Sequence, residues 1–314
     1  MKRESGQGTV EWIGLVLVVT LVLLGVLAAV GARFPGADLA RAIGEKIVCA
    51  VDLSAACRTE PALVAAYGPE LAAEVRAHAP GIVYEDGMTA LPVDFRSCRG
   101  AGCGNGRPSG PVWRSDTGEP TVAFVHVLDC RTWAPPPEGD ADCSGERRGH
   151  VYLQYHLYYE DSTSLRDVPG KLGHHADDWE SYQVRLGPQG TQSRASSHNS
   201  YSYDGGPTGW ASDAGIAPRS AWGPSTGRLY VSGGSHAGHV HEGRGIRLRG
   251  GARRLVGSLP GDVGGRDRPT RWTPAGRLRL IPIETLGISE LSKQFAVVPP
   301  WLKPVYRDPE SDET

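Results

Sequence analysis

Two carboxylates one residue apart, Asp178 and Glu180, stand in the stretch Gly173-His174-His175-Ala176-Asp177-Asp178-Trp179-Glu180, with Asp167 a short loop upstream. In an extended strand side chains alternate, so Asp178 and Glu180 share one face and Trp179 takes the other. The same face continues as Tyr182, Val184 and Leu186, an apolar row that should point inward while Ser181, Gln183 and Arg185 face out. The carboxylates then lie at the mouth of a hydrophobic layer. Like charges so placed repel unless a proton is taken up or a cation is bound. A hard divalent cation (calcium, magnesium or manganese) held by oxygens, with His175 adding a nitrogen, suits the arrangement. The plainer alternative pairs Asp178 and Glu180 with arginines at a rim and makes Trp179 a core anchor.

Other chemistry-bearing residues are ranked against this stretch. His236 follows the strand-like Leu229 to Ser232 at a Gly-Gly-Ser turn, which places its ring at a loop-rich rim as a fifth ligand or a general base. Asp177 is the other candidate base. His174 points away from His175 on a strand and can at most support the ligands. His156 reads as a structural histidine within a strand, and His239 and His241 as solvent-facing. No G-x-S-x-G elbow is present, and Gly100-x-Gly102-x-Gly104 has neither the spacing nor the context of a dinucleotide site.

The elements that must position these groups are β-strands. High glycine and proline content and short apolar runs at 81–85, 121–128, 150–159, 178–186, 228–233 and 277–283 predict a mainly β fold, a β-sandwich over residues 81–306. Ser193 to Gly227 reads as a long loop, and the acidic residues 307–314 as a disordered tail. A net charge of −2 with scattered basic residues argues against nucleic-acid partners.

Residues 12–31 are apolar, and Trp12 to Val30 carry no charge, enough to cross a bilayer as one helix. Lys2 and Arg3 before the span keep the N-terminus cytoplasmic and put the rest of the chain outside, a single-pass topology. Residues 32–80 read as a helical stalk, with Leu39, Ile43 and Ile47 at helical spacing and a second stretch from Pro69 that Pro80-Gly81 stops. Outside the cytoplasm cysteines pair, and local spacing favours Cys49 with Cys57, Cys98 with Cys103, and Cys130 with Cys143.

Two resemblances follow from these residues. Residues 1–11, with Gly6 and Glu11 at glycine-plus-five spacing before the apolar span, resemble the Flp/TadE class of pilin-like leaders, which implies cleavage after Gly6 and a pilus or secretion assembly as partner. His-x-x-Asp-Trp-Glu after Tyr155-His156-Leu157-Tyr158-Tyr159 resembles the heptapeptide of the necrosis-inducing NLP cytolysins and the similar stretch of a vacuolar-sorting-like family. The block Leu229 to Ala237 is similar to a downstream Gly-Ser-His-Ala strand of those families. The NLP resemblance implies a β-sandwich with a divalent cation held by Asp167, His175, Asp178 and Glu180. The chain departs from the pattern at His174, Ala176 and Asp177, where that family has glycine, arginine and its second histidine, so the resemblance reaches the metal site more than toxicity toward a host membrane.

Three functions stay open. The preferred one is a membrane-anchored or pilus-associated extracytoplasmic module that binds a surface glycan or lipid headgroup through its cation cleft. The others are an exported metal-dependent hydrolase or cytolysin-like effector, and a pseudopilin-type structural protein.

Overall fold

A computed structural model describes residues 60–85, 88–131, 142–162, 174–197, 200–202, 222–240 and 271–311. Gly6, Glu11, the apolar segment 12–31, Cys49, Cys57, Asp167 and His241 lie outside the described residues. No helix among the described residues is long and apolar enough to cross a membrane.

Helix α1 (Pro61–Ala77) opens on a proline, which lacks only a hydrogen that the first turn cannot use, and it bends at Gly68, where φ is 78° ahead of Pro69. It packs against the strands. Leu63, Ala72 and Val75 join the main core, the Tyr155 hydroxyl donates to the Val75 carbonyl, and Arg76 donates to the carbonyl of Leu278. Strand β1 (Gly81–Tyr84) follows, then the short helix α2 (Phe95–Cys98), β2 (Gly110–Pro111) and β3 (Val122–Asp129). The long pair β4 (Val151–Ser162) and β5 (His175–Gly187) comes next, with β6 (Gly190–Ser197), β7 (Ser200–Ser202), β8 (Gly223–Pro224), β9 (Arg228–Val231), β10 (Gly238–His239), β11 (Arg271–Thr273) and β12 (Arg279–Pro282) after it. Helices α3 (Ile288–Leu291) and α4 (Pro304–Arg307) lie in the C-terminal segment.

The strands form two mixed sheets. One has the order β10-β9-β1-β11-β2, with β1 parallel to β9. The other has the order β12-β3-β4-β5-β6-β7, with β8 also on β6 and β12 parallel to β3. One core draws on both: Ile82, Tyr84, Leu229 and Val231 from the first, and Leu153, Tyr155, Leu157, Tyr159, Tyr182 and Val184 from the second. At Gly238 the approach is close, since a Cβ there would meet Leu229 at 3.0 Å and the Ser196 carbonyl of β6 at 3.1 Å. All six runs read as strands are strands, within a few residues at each end. Both local disulfides in the described region, Cys98–Cys103 and Cys130–Cys143, pair as their spacing suggests.

Three expectations change. Ser193 to Gly227 is not one loop, because β6 runs to Ser197 against β5 and β7 and β8 follow on β6. Small serines at 193 and 196 are buried there, so a strand forms without the β-branched residues that announce one. Ser181 and Gln183 do not face solvent: both are buried, Ser181 against His156 (2.7 Å) and Gln183 against Arg194 (2.7 Å). The C-terminal segment covers that face. Gln154 donates to the Val305 carbonyl, and Arg194 donates to the carbonyls of Pro309 and Ser311. Residues 308–311 are therefore no loose tail. Glu310 accepts from Tyr152, Arg185 and Trp222, and Asp308 pairs with Arg147.

Candidate functional site

The C-terminal end of β4, the start of β5 and the turn after β9 meet at one point. The register pairs Tyr159 with Asp178 and Leu157 with Glu180, and antiparallel alternation puts these four on the face that looks toward the five-stranded sheet. Trp179 takes the opposite face, as alternation requires. Its ring lies 5.0–5.8 Å from those of Phe95, Phe124, Tyr158, Phe295 and Trp301 and anchors the strand on that side.

Asp178 is buried, and one of its oxygens lies 2.7 Å from Nδ1 of His236. An ionised carboxylate only accepts, so Nδ1 carries the hydrogen of this bond and Nε2 takes no part in it. The His236 ring is stacked on Tyr159 at 4.1 Å and 14°, which fixes its plane. Glu180 accepts from the Ser196 hydroxyl at 2.5 Å. Burial and the charge of Asp178 push the Glu180 carboxyl well above the usual carboxylate range, against the opposing pull of Ser196 and Lys303. Burial lowers the Lys303 amine, while Glu180 and Asp178 work to restore it. Two acids and one half-buried base thus compete for too little water.

Asp177 has a different task. Arg99 grips both its oxygens, the Tyr158 hydroxyl donates at 2.9 Å and the Ala296 N–H at 2.8 Å. Burial alone would raise its carboxyl, and these donors hold it below the usual range instead. With its lone pairs so engaged it holds the strand and is poorly placed to take a proton from a substrate. His174 lies at the surface, 3.5 Å from Asp161, and the ring of His175 donates from Nδ1 to the Ala176 carbonyl at 3.2 Å. Neither makes a hydrogen bond or ion pair with Asp178 or Glu180. His239 is buried rather than solvent-facing and bonds Ser232, because it lies on β10 under β9. His156 is buried and satisfied on one side by Ser181.

Among the described residues, the non-glycine residues with a left-handed backbone are Asp177 (φ 59°) and His236 (φ 55°). They flank Asp178 from two different chain segments. Such conformations cost of order 1–3 kcal/mol and persist only where surrounding contacts impose them. Arg99 imposes the first, and the Gly233-Gly234 turn, closed by Ser232 N–H to the Ala237 carbonyl, imposes the second.

No family model matches the chain, and no curated protein matches it. A solved structure described as NLPPya in complex with mannosamine aligns over 71% of this chain and 80% of its own, at 15% identity and a TM-score of 0.29.

The donors at the site are two carboxylates and an imidazole. The two carboxylates are the hard oxygen donors that a calcium, magnesium or manganese ion prefers, whereas the imidazole is a softer donor. No group of three His, Cys, Asp or Glu side chains among the described residues is gathered closely enough to hold an ion alone. Asp178 and Glu180 are the pair that would contribute oxygens, with the remaining ligands coming from elsewhere. Arg99, Ser196 and Lys303 were not singled out by sequence reasoning. Position between paired cysteines is the one signal that points to Arg99; nothing in the sequence marks the other two.

Proposed function

We propose that residues 81–306 are a β-sandwich that binds a surface glycan or lipid headgroup at the Asp178–Glu180–His236 site, outside a membrane to which the apolar segment 12–31 anchors the chain. A divalent cation would complete the site: Asp178 and Glu180 would supply oxygens, Asp167 and His175 further ligands, and the ion would offer a hard positive charge to a ligand hydroxyl or headgroup oxygen. The observation that carries this reading is that Asp177 and His236, both in left-handed conformations, lock the two sides of a buried carboxylate whose neighbour Glu180 is short of positive charge. A single core shared by the two sheets supports the sandwich. The same His236–Asp178 pair favours a second reading, a hydrolase in which Nε2 of His236 takes a proton from water.

Thermal melting of the full chain decides the cation. Added calcium, magnesium or manganese should raise the midpoint in proportion to ln(1 + [L]/Kd) and chelator should lower it, while Asp178→Asn should be insensitive to both. Superimposable melts of the wild type across that series would leave the two carboxylates a structural role only.

A further inference from the structure

The opposite end of the five-stranded sheet carries a second recess. Along β1, Ile82 and Tyr84 point into the core, and on β11 Thr273 does so too, bonding the Tyr84 hydroxyl at 2.8 Å. Alternation therefore turns Gly81, Val83, Arg228, Tyr230 and Trp272 to the outer face. The register lines up Tyr230, Val83 and Trp272 across three strands, and sets Gly81 beside Arg228. Because residue 81 has no side chain, a cavity of about 400 Å³ opens there, lined by Gly81, Val83, Arg228, Trp272 and Pro274. Its wall is an indole left 37% exposed.

Two further properties define what fits. Arg228 is exposed, and among the described residues its side chain has no ion pair or hydrogen bond; its backbone N–H donates to Thr226. A positive charge thus lies beside an apolar wall with no carboxylate partner among the described residues. The strands under the cavity, β9, β1 and β11, are each paired on both sides, so they offer no free backbone edge to an extended peptide. A ligand must be held by the indole face and the guanidinium. The volume is in the range of small-molecule sites.

We propose that this cavity binds a carboxylated pyranose, the apolar face of the ring lying on Trp272 and its carboxylate accepting a forked pair of hydrogen bonds from Arg228. The site is separate from the one around Asp178, which lies at the other end of β1 and β9.

Calorimetric titration of the full-length chain with glucuronate, glucose and benzoate tests it. Glucuronate should bind at least about tenfold more tightly than glucose, a difference of about 1.4 kcal/mol, and more tightly than benzoate, which has the charge without the hydroxylated ring. Arg228→Gln should erase the preference over glucose. Gly81→Val fills the recess while keeping both recognition residues in place, and it should abolish binding with an unchanged melting temperature, since a Cβ at 81 comes no closer than 3.8 Å to any atom and valine suits a strand. Asp178→Asn should leave glucuronate binding intact, which separates the outcome from that of the cation site. Equal affinity for glucuronate and glucose, tighter binding of benzoate, or full glucuronate affinity in Gly81→Val would each overturn the assignment.

Discussion

Arg99 and Asp177 are joined by two parallel hydrogen bonds of 2.7 Å, Nε to Oδ1 and Nη2 to Oδ2. The arginine lies inside the Cys98–Cys103 loop and the aspartate at the head of the carboxylate stretch, so a surface loop holds the backbone of β5 in its left-handed turn. The Asp177 side chain is almost wholly buried whereas Arg99 is a third exposed, so the aspartate bears the desolvation and depends on its partner. Arg99→Ala should cost roughly 2 kcal/mol, the weight of hydrogen bonds to a buried charge. Arg99→Lys should recover only part, because a point charge cannot span both oxygens. Urea denaturation measures both, and an unshifted midpoint in Arg99→Ala would show that Tyr158 and Ala296 suffice.

The disulfides should differ in weight. Loop-closure entropy assigns about 2 kcal/mol to the short Cys98–Cys103 loop and about 3 kcal/mol to the longer Cys130–Cys143 loop. Removing Cys98–Cys103 should nevertheless cost more than its loop length implies, because it also frees Arg99 and the backbone N–H groups of Gly102 and Gly104 that Glu160 accepts. Paired Cys→Ser variants compared by denaturation give the order. A cost for the short loop well below that of the long one would mean that Glu160 alone fixes it.

Acid should act through Glu284. Burial would raise its carboxyl, but His126, bonded at 2.5 Å, and the Tyr67 hydroxyl outweigh that and lower it. A carboxylate whose folded value is depressed adds stability above its ordinary value, about pH 4.5, and loses it as pH falls further. Glu284→Gln should therefore be less stable than wild type near neutrality and converge with it in acid. Parallel stability-against-pH curves for the two proteins would exclude this contribution.

The C-terminal residues should be worth more than their position suggests. Glu310 is buried against Tyr152, Arg185 and Trp222, and Arg194 lies between Gln183 and the carbonyls of Pro309 and Ser311. Glu310→Ala strands donors on β4, on β5 and at Trp222 and should cost about 3 kcal/mol. Hydrogen exchange should speed along β5 and β6 in that variant. Wild-type protection there would place the stabilising contacts elsewhere in the segment.

The strands were legible wherever one face was continuously apolar, as from Val122 to Leu128 or Val151 to Tyr159, because period-two patterning needs no knowledge of the partner. Asp178 and Glu180 were legible for the same reason. What failed was anything decided by a distant segment. Ser181 and Gln183 look like solvent-facing residues until residues 300–311 fold over their face. Asp308 to Ser311 look disordered because an acidic run has no apolar signal, yet Arg147, Arg185 and Arg194 supply the opposite charge. Asp177 looked like one more site carboxylate. Its role depends on Arg99, 78 residues away, and no local pattern connects the two.

Glu60, the residue just before α1, accepts from the Leu280 N–H of β12 at 3.1 Å and pairs with Arg76. Strand β12 is at the edge of its sheet and runs parallel to β3. A pull applied at residue 60 would load this tie directly. How firmly the start of α1 is held then depends on one carboxylate and the edge strand it grips.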